Sequence, residues 1–155
     1  DDEVICIEDS DNDYQKGWLV EVIKNELGEK LKGMRLAVWG LAFKPETDDM
    51  REAPAIRIIE GLVQAGASIV AFDPQAREHA KDTISVPFEI ADTAYKAVEG
   101  ADALVLLTEW KAFAVPLWRR VKKLMRGNMV FDGRNLWEPA KVRAEGFRYR
   151  GVGRR

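Results

Sequence analysis

The chain has 155 residues and a formal net charge of −2, with 46% hydrophobic and 32% charged residues. This composition is typical of one globular domain with a sizeable core. It offers no basic surface for nucleic acid, and no apolar run approaches the ~20 residues of a membrane span. Cys6 is the only cysteine and the N-terminus lacks a signal-peptide pattern, so we expect a cytoplasmic protein without disulfides.

The first half of the chain alternates between helical and strand-like patterns. Apolar residues at helical spacing predict a helix over 13–31, and a short apolar run that ends at Gly40 predicts a buried strand over 34–40. A second helix is expected to have Pro54 in its first turn and Gly66 just after its last turn. This second helix is predicted over 53–67. It is followed by a strand over 68–74, a short helix over 74–82 and a weak strand over 85–90.

The second half continues the alternation up to the C-terminus. Its segments predict a helix over 92–101, a strand over 102–110, a helix over 115–125, a strand over 127–135, a helix over 138–146 and a strand over 147–153. Such alternation predicts an α/β fold, with a Rossmann-like parallel sheet, helices on both faces and a preceding N-terminal helix. We divide the chain into an N-terminal segment, 1–32, and a sheet domain, 33–155.

Polar side chains follow several of the predicted strands. Ligands of open parallel sheets bind outside the carboxyl ends of the strands, at the point where the strand order reverses. Lys44, Arg51 and Arg134 all follow predicted strands, and three cations at strand ends suit a diphosphate. The plainer interpretation is that each cation is a surface side chain paired with its neighbours, as Arg51 could be with Asp48 or Glu52.

The residues after Gly40 do not form the G-x-G-x-x-G pattern that brings backbone amides close to a pyrophosphate. Asp73 occupies the place of a ribose-binding acid, but without those glycines a turn aspartate before Pro74 is the favoured interpretation. We expect His79 to be a solvated side chain and Cys6 a buried structural thiol. The sequence predicts no catalytic residue and no metal-ligand set.

The stretch GLAFKPETDDMREAP at 40–54 resembles the UDP-glucose/GDP-mannose dehydrogenase family, in particular its C-terminal nucleotide-sugar-binding domain. The resemblance continues with AFDPQA at 71–76, ADALVLLTEW at 101–110 and VFDGRNLWEP at 130–139. NDYQK at 12–16 resembles the end of the helix that joins the family's central domain to this one. DGRN at 132–135, together with GFRYRGVGR at 146–154, resembles the UDP-glucose branch more than the GDP-mannose branch.

This resemblance implies a UDP-sugar-binding domain over 33–155 of an NAD-dependent enzyme that oxidises the sugar C6 alcohol to a carboxylate and reduces two NAD. It implies that Phe43, Lys44 and Arg134 contact the UDP-sugar, and that Arg51 reaches NAD bound mainly by an N-terminal half. The family's catalytic cysteine and NAD glycine loop have no counterpart in this sequence. The chain alone is therefore expected to be inactive and to act with the N-terminal half of a homo-oligomeric parent enzyme.

Three other interpretations fit the same residues. The chain could be the equivalent domain of a GDP-mannose dehydrogenase. It could be a free-standing regulatory domain that binds a nucleotide without preference for the sugar. It could also be an interaction module whose exposed faces of Trp18, Trp110 and Trp137 pack on another half, although buried core positions are the commoner place for such side chains.

Overall fold

The computed structural model describes residues 12–42, 50 and 53–151. Six strands form one sheet, namely β1 (Arg35–Trp39), β2 (Ser68–Phe72), β3 (Glu89–Ile90), β4 (Ala103–Leu106), β5 (Met129–Asp132) and β6 (Arg148–Gly151). Their order is β3-β2-β1-β4-β5-β6, and every pair is parallel. The order reverses between β1 and β4, which confirms the predicted Rossmann-like sheet.

Helices cover both faces of this sheet. They are α1 (Asn12–Leu27), α2 (Pro54–Gln64), α3 (Arg77–Thr83), α4 (Ala94–Val98), α5 (Trp118–Leu124) and α6 (Pro139–Ala144). In β1, Leu36 and Val38 belong to a core shared with α1, α2 and α3, whereas Ala37 and Trp39 belong to a core shared with α4, α5 and α6. The alternation of side chains along a strand therefore gives the sheet two separate cores.

The proline and glycine residues at the helix ends have largely the roles that the sequence predicts. Pro54 occupies the first turn of α2, and Gly66 follows that helix with a φ of 104°. The predicted helix over 13–31 remains α-helical only to Leu27, because Gly28 has a φ of 59° and begins a single 3₁₀ turn. No helix in the described part of the chain is long and apolar enough to cross a membrane.

The strands are shorter than predicted, and most of the difference lies at their carboxyl ends. The strand predicted over 102–110 ends at Leu106, and the strand predicted over 127–135 ends at Asp132. The weak strand predicted over 85–90 is reduced to the two residues of β3. The residues that were predicted as strand ends lie instead in the loops that follow the strands, where a ligand site is expected.

Helix α1 is packed onto the sheet domain. Leu19 and Ile23 are buried in the first core, and at the end of the helix Glu26 accepts hydrogen bonds from two arginines of β6. The distances are 3.2 Å to Arg148 and 3.1 Å to Arg150. The domain boundary after residue 32 stays a prediction.

Asp102 ties the amino ends of β1 and β4 together. Its carboxylate accepts the backbone N–H of Arg35 at 2.9 Å and two guanidinium N–H groups of Arg126, both at 2.8 Å. The hydrogen bonds from Arg126, together with the one from Arg35, hold the pKa of Asp102 below its ordinary value, although burial acts in the opposite direction. The folded state therefore favours the charged carboxylate.

We predict that Asp102→Asn removes a pH-dependent part of the stability. Because the pKa of Asp102 is lower in the folded state, its contribution is present above the ordinary carboxyl pKa and is lost as the pH falls through the lowered one. Urea unfolding from about pH 6 to about pH 3 should show the difference between the wild type and the variant shrinking with acid. The exposed Asp82→Asn is the control, and a difference that stays constant over this range would contradict the prediction.

Candidate functional site

The candidate site lies where the segments after β1, β2, β4 and β5 meet at the carboxyl edge of the sheet. Strand order reverses between β1 and β4, so this edge contains the crevice in which open α/β sheets bind ligands. Two fully buried carboxylates, Asp73 after β2 and Asp132 at the end of β5, organise the backbone there.

Asp73 accepts hydrogen bonds from five N–H groups of three different segments. The donors are the backbone amides of Leu41 (2.7 Å), Ala42 (3.1 Å), Gln75 (2.8 Å) and Ala76 (2.7 Å), and the Trp110 indole (3.1 Å). The bonds to Gln75 and Ala76 confirm the turn aspartate. Both oxygens of Asp73 are used by the protein itself, so this residue has no role as a ribose acceptor.

Gly40, at the end of β1, allows the chain to pass close to the backbone of Thr108. Its φ is 99°, and a Cβ at this position would lie 2.5 Å from the backbone nitrogen of Thr108. The Thr108 hydroxyl donates to the carbonyl of Ala42 at 2.7 Å, which fixes the two chain segments against each other. Protein atoms thus fill the space that a Cβ at residue 40 would need.

Asp132 forms a second buried centre of hydrogen bonds at the end of β5. It accepts from the backbone amides of Arg134 (3.1 Å), Leu136 (3.1 Å) and Trp137 (2.9 Å) and from the Tyr149 hydroxyl (2.8 Å). These bonds fold the residues after β5 into a turn, with Asn135 at a φ of 55°, and explain why the strand ends before 133–135. The turn places Arg134 directly after the strand.

The side chain of Arg134 is paired with Glu109, which follows β4. Nε donates to Oε1 at 3.0 Å and Nη2 donates to Oε2 at 3.1 Å, so the contact is bidentate. Arg134 is 27% exposed and Glu109 35% exposed at the side chain. The sequence predicted Arg134 as a site residue, but nothing in its motif or in the segment that contains Glu109 indicated the pair. The two residues follow the neighbouring strands β4 and β5.

The other predicted site residues are not described by the structure. Phe43, Lys44 and Arg51 lie outside the described residues, so their proposed contacts stay predictions. His79 is exposed on α3, as expected. Within the described ranges, no group of three or more histidine, cysteine, aspartate or glutamate side chains could hold a metal ion.

Two of the tryptophans that the interaction-module interpretation placed on exposed faces are core residues, which is the commoner place for such side chains. Trp110 is 4% exposed and Trp137 is 3% exposed, so the hypothesis of exposed faces is wrong for both. Their indole N–H groups have buried acceptors, Asp73 for Trp110 and the Phe113 carbonyl, at 2.7 Å, for Trp137. The side chain of Trp18 lies outside the described residues.

Comparison with known proteins gives a consistent set of relatives. Residues 37–139 match the family described as "UDP-glucose/GDP-mannose dehydrogenase family, UDP binding domain". A UDP-glucose 6-dehydrogenase of Pseudomonas aeruginosa is 39% identical over 159 residues, which cover 99% of this chain and 35% of the relative. The chain therefore spans about a third of the length of such relatives.

Solved structures agree with this match. A UDP-glucose dehydrogenase from Pyrobaculum islandicum has a TM-score of 0.77 at 28% identity, over 93% of this chain and 31% of that one. An NDP-N-acetyl-D-galactosaminuronic acid dehydrogenase from Methanosarcina mazei has a TM-score of 0.76 at 31% identity, over 92% and 30% of the two chains.

We predict that Asp73→Asn destabilises the fold, because an amide NH₂ would face donors that need an acceptor. The expected loss in the free energy of unfolding is about 3 kcal/mol, since buried N–H groups would lose a charged acceptor. Urea unfolding at neutral pH measures this loss. The exposed Asp82→Asn should change stability by less than about 0.5 kcal/mol. A similar small change in Asp73→Asn would show that the buried carboxylate does not organise the strand ends.

Proposed function

The chain belongs to the UDP-glucose/GDP-mannose dehydrogenase family, and on that premise we propose that it binds the nucleotide sugar of a UDP-glucose 6-dehydrogenase. The observation that carries the proposal is the placement of Arg134. Within a chain that matches the family's UDP-binding domain, Asp132 and Glu109 hold this arginine at the carboxyl edge of β5. A guanidinium at that edge suits an anionic ligand.

The proposed contacts to the ligand combine two kinds of cation. Arg134 provides a planar fork for two phosphate oxygens, and Lys44 provides a point charge, so together they neutralise the diphosphate. Phe43 contacts the same nucleotide sugar. Arg51 reaches toward NAD. The uridine diphosphate thus anchors the substrate, while the sugar C6 extends toward groups contributed from outside residues 33–155.

The chemistry of oxidation comes from elsewhere in the proposed parent enzyme. NAD held by the parent enzyme would supply the hydride acceptor for oxidation at the sugar C6, and we propose that two NAD are used for each carboxylate formed. The backbone amides of Leu41 and Ala42 after β1 donate to Asp73 and are not available to a pyrophosphate, which supports an NAD site on an N-terminal half of the parent enzyme. We propose that the catalytic thiol lies there too, and that the parent is a cytoplasmic homo-oligomer.

A second candidate function is an interaction module. Trp110 and Trp137 do not support it, because both are buried. Val115 and Leu117, which are 87% and 60% exposed, are the observation in its favour. This candidate predicts self-association in sedimentation experiments and no affinity for nucleotide sugars.

We predict selective binding of UDP-glucose over GDP-mannose and NAD in separate calorimetric titrations of the chain. Arg134→Ala should weaken UDP-glucose binding about ten- to hundredfold, because charge-assisted hydrogen bonds to phosphate are lost. The exposed Arg119→Ala removes the same charge on α5 and should leave the affinity unchanged. Stronger binding of GDP-mannose would move the chain to the other branch, and binding of NAD alone would contradict the proposed site.

We also predict that the purified chain does not reduce NAD in the presence of UDP-glucose. The reason is that the hydride acceptor site and the thiol are proposed to lie outside these residues. The measurement is NADH absorbance over time. A full-length relative such as the P. aeruginosa enzyme is the positive control. Steady NADH production by the chain alone would contradict the proposal that the NAD site and the catalytic thiol lie outside these residues.

A further inference from the structure

We propose that Glu109 is a positioning residue for ligand binding. Its carboxylate holds the guanidinium of Arg134 in the orientation in which the remaining N–H groups bind the diphosphate. This inference rests on the proposed function, because it takes Arg134 as a ligand contact. It adds a residue to the site that neither the sequence motifs nor a direct contact with the ligand would identify.

The geometry of the pair leaves one edge of the guanidinium available. Glu109 accepts from Nε and from one hydrogen of Nη2 of Arg134. An arginine has five N–H groups, so three make no hydrogen bond to the described residues: two on Nη1 and one on Nη2. Two of these are parallel and match two oxygens of a phosphate. The side chain of Arg134 is 27% exposed, so a ligand can reach it from solvent.

Glu109 is itself held in place on both sides. The preceding residue, Thr108, is buried and donates its hydroxyl to the Ala42 carbonyl at 2.7 Å. The following residue, Trp110, is buried and donates its indole N–H to Asp73 at 3.1 Å. Because both neighbours are anchored in the interior, the backbone of Glu109 has little freedom to move, which keeps its carboxylate within reach of Arg134.

The backbone of Arg134 is fixed in the same way by its hydrogen bond to the buried Asp132. A long arginine side chain normally loses rotamer freedom when it binds a ligand, and that loss weakens binding. Here the two N–H bonds to Glu109 impose the restriction before a ligand arrives. Removing the carboxylate should therefore weaken binding even though Glu109 does not touch the ligand.

The negative charge of Glu109 acts in the opposite direction, because it repels a phosphate. Both side chains are about a third exposed, so solvent and salt screen this repulsion. We expect orientation to outweigh repulsion. Glu109→Gln, which keeps one acceptor oxygen and the side-chain length, should then bind better than Glu109→Ala.

The test is a double-mutant cycle on UDP affinity, measured by NMR titration of the 155-residue chain. Glu109→Ala should weaken UDP binding about threefold to tenfold in the wild-type background and have no further effect when Arg134 is already alanine. Glu26→Ala is the matched control, because Glu26 also pairs with arginines but on β6. It should leave the UDP affinity unchanged.

The outcomes separate this inference from the proposed function. If the wild-type chain does not bind UDP, the proposed function and the inference both fail. If binding is weakened in Arg134→Ala but unchanged or tighter in Glu109→Ala, only the inference fails. An equal loss from Glu109→Ala in both backgrounds would indicate a merely structural role for Glu109 and would also overturn it.

Discussion

The arrangement of the strand ends depends on the buried carboxylate of Asp73. A carboxylate without partners is very costly in a protein interior, and five N–H donors from the segments after β1, β2 and β4 compensate for that cost. The same donors would otherwise be unsatisfied at this depth. The Asp73 side chain therefore satisfies N–H donors of three chain segments at once and determines where each segment leaves the sheet. Asp132 has the equivalent function for β5 and β6.

The buried acidic residues at these strand ends accept hydrogen bonds from the protein itself. In a dinucleotide-binding sheet, glycines open the first strand end and an acid at the second faces the ribose. Here Thr108 packs against Gly40, and Asp73 is saturated by protein donors. The Asp132 turn places the cationic side chain of Arg134 outside this backbone network, and we propose that side chain, rather than backbone amides, as the contact to an anionic ligand.

The sequence predicted the sheet, its flanking helices and the candidate strand ends, because buried strands such as β1 and β4 are continuous apolar runs. It did not predict the shortened strand ends, because apolarity alone does not show that Thr108 bonds back to Ala42. Pairs between distant residues were also hidden: Arg134 lies 25 residues from Glu109, and Trp110 lies 37 residues from Asp73. Such partners depend on strand order, which local patterns do not encode.

The contact between α1 and β6 has a consequence for how the chain can be shortened. Glu26 bonds to Arg148 and Arg150, 122 and 124 residues later, while Ile23 is buried against the sheet. A chain that begins at residue 33 would lack both the Glu26 carboxylate and the apolar side chains of α1 that cover the sheet. The uncovered side chains of the first core would form an exposed hydrophobic patch, and such patches promote aggregation. For an expression experiment, the helix is thus part of the smallest well-behaved unit.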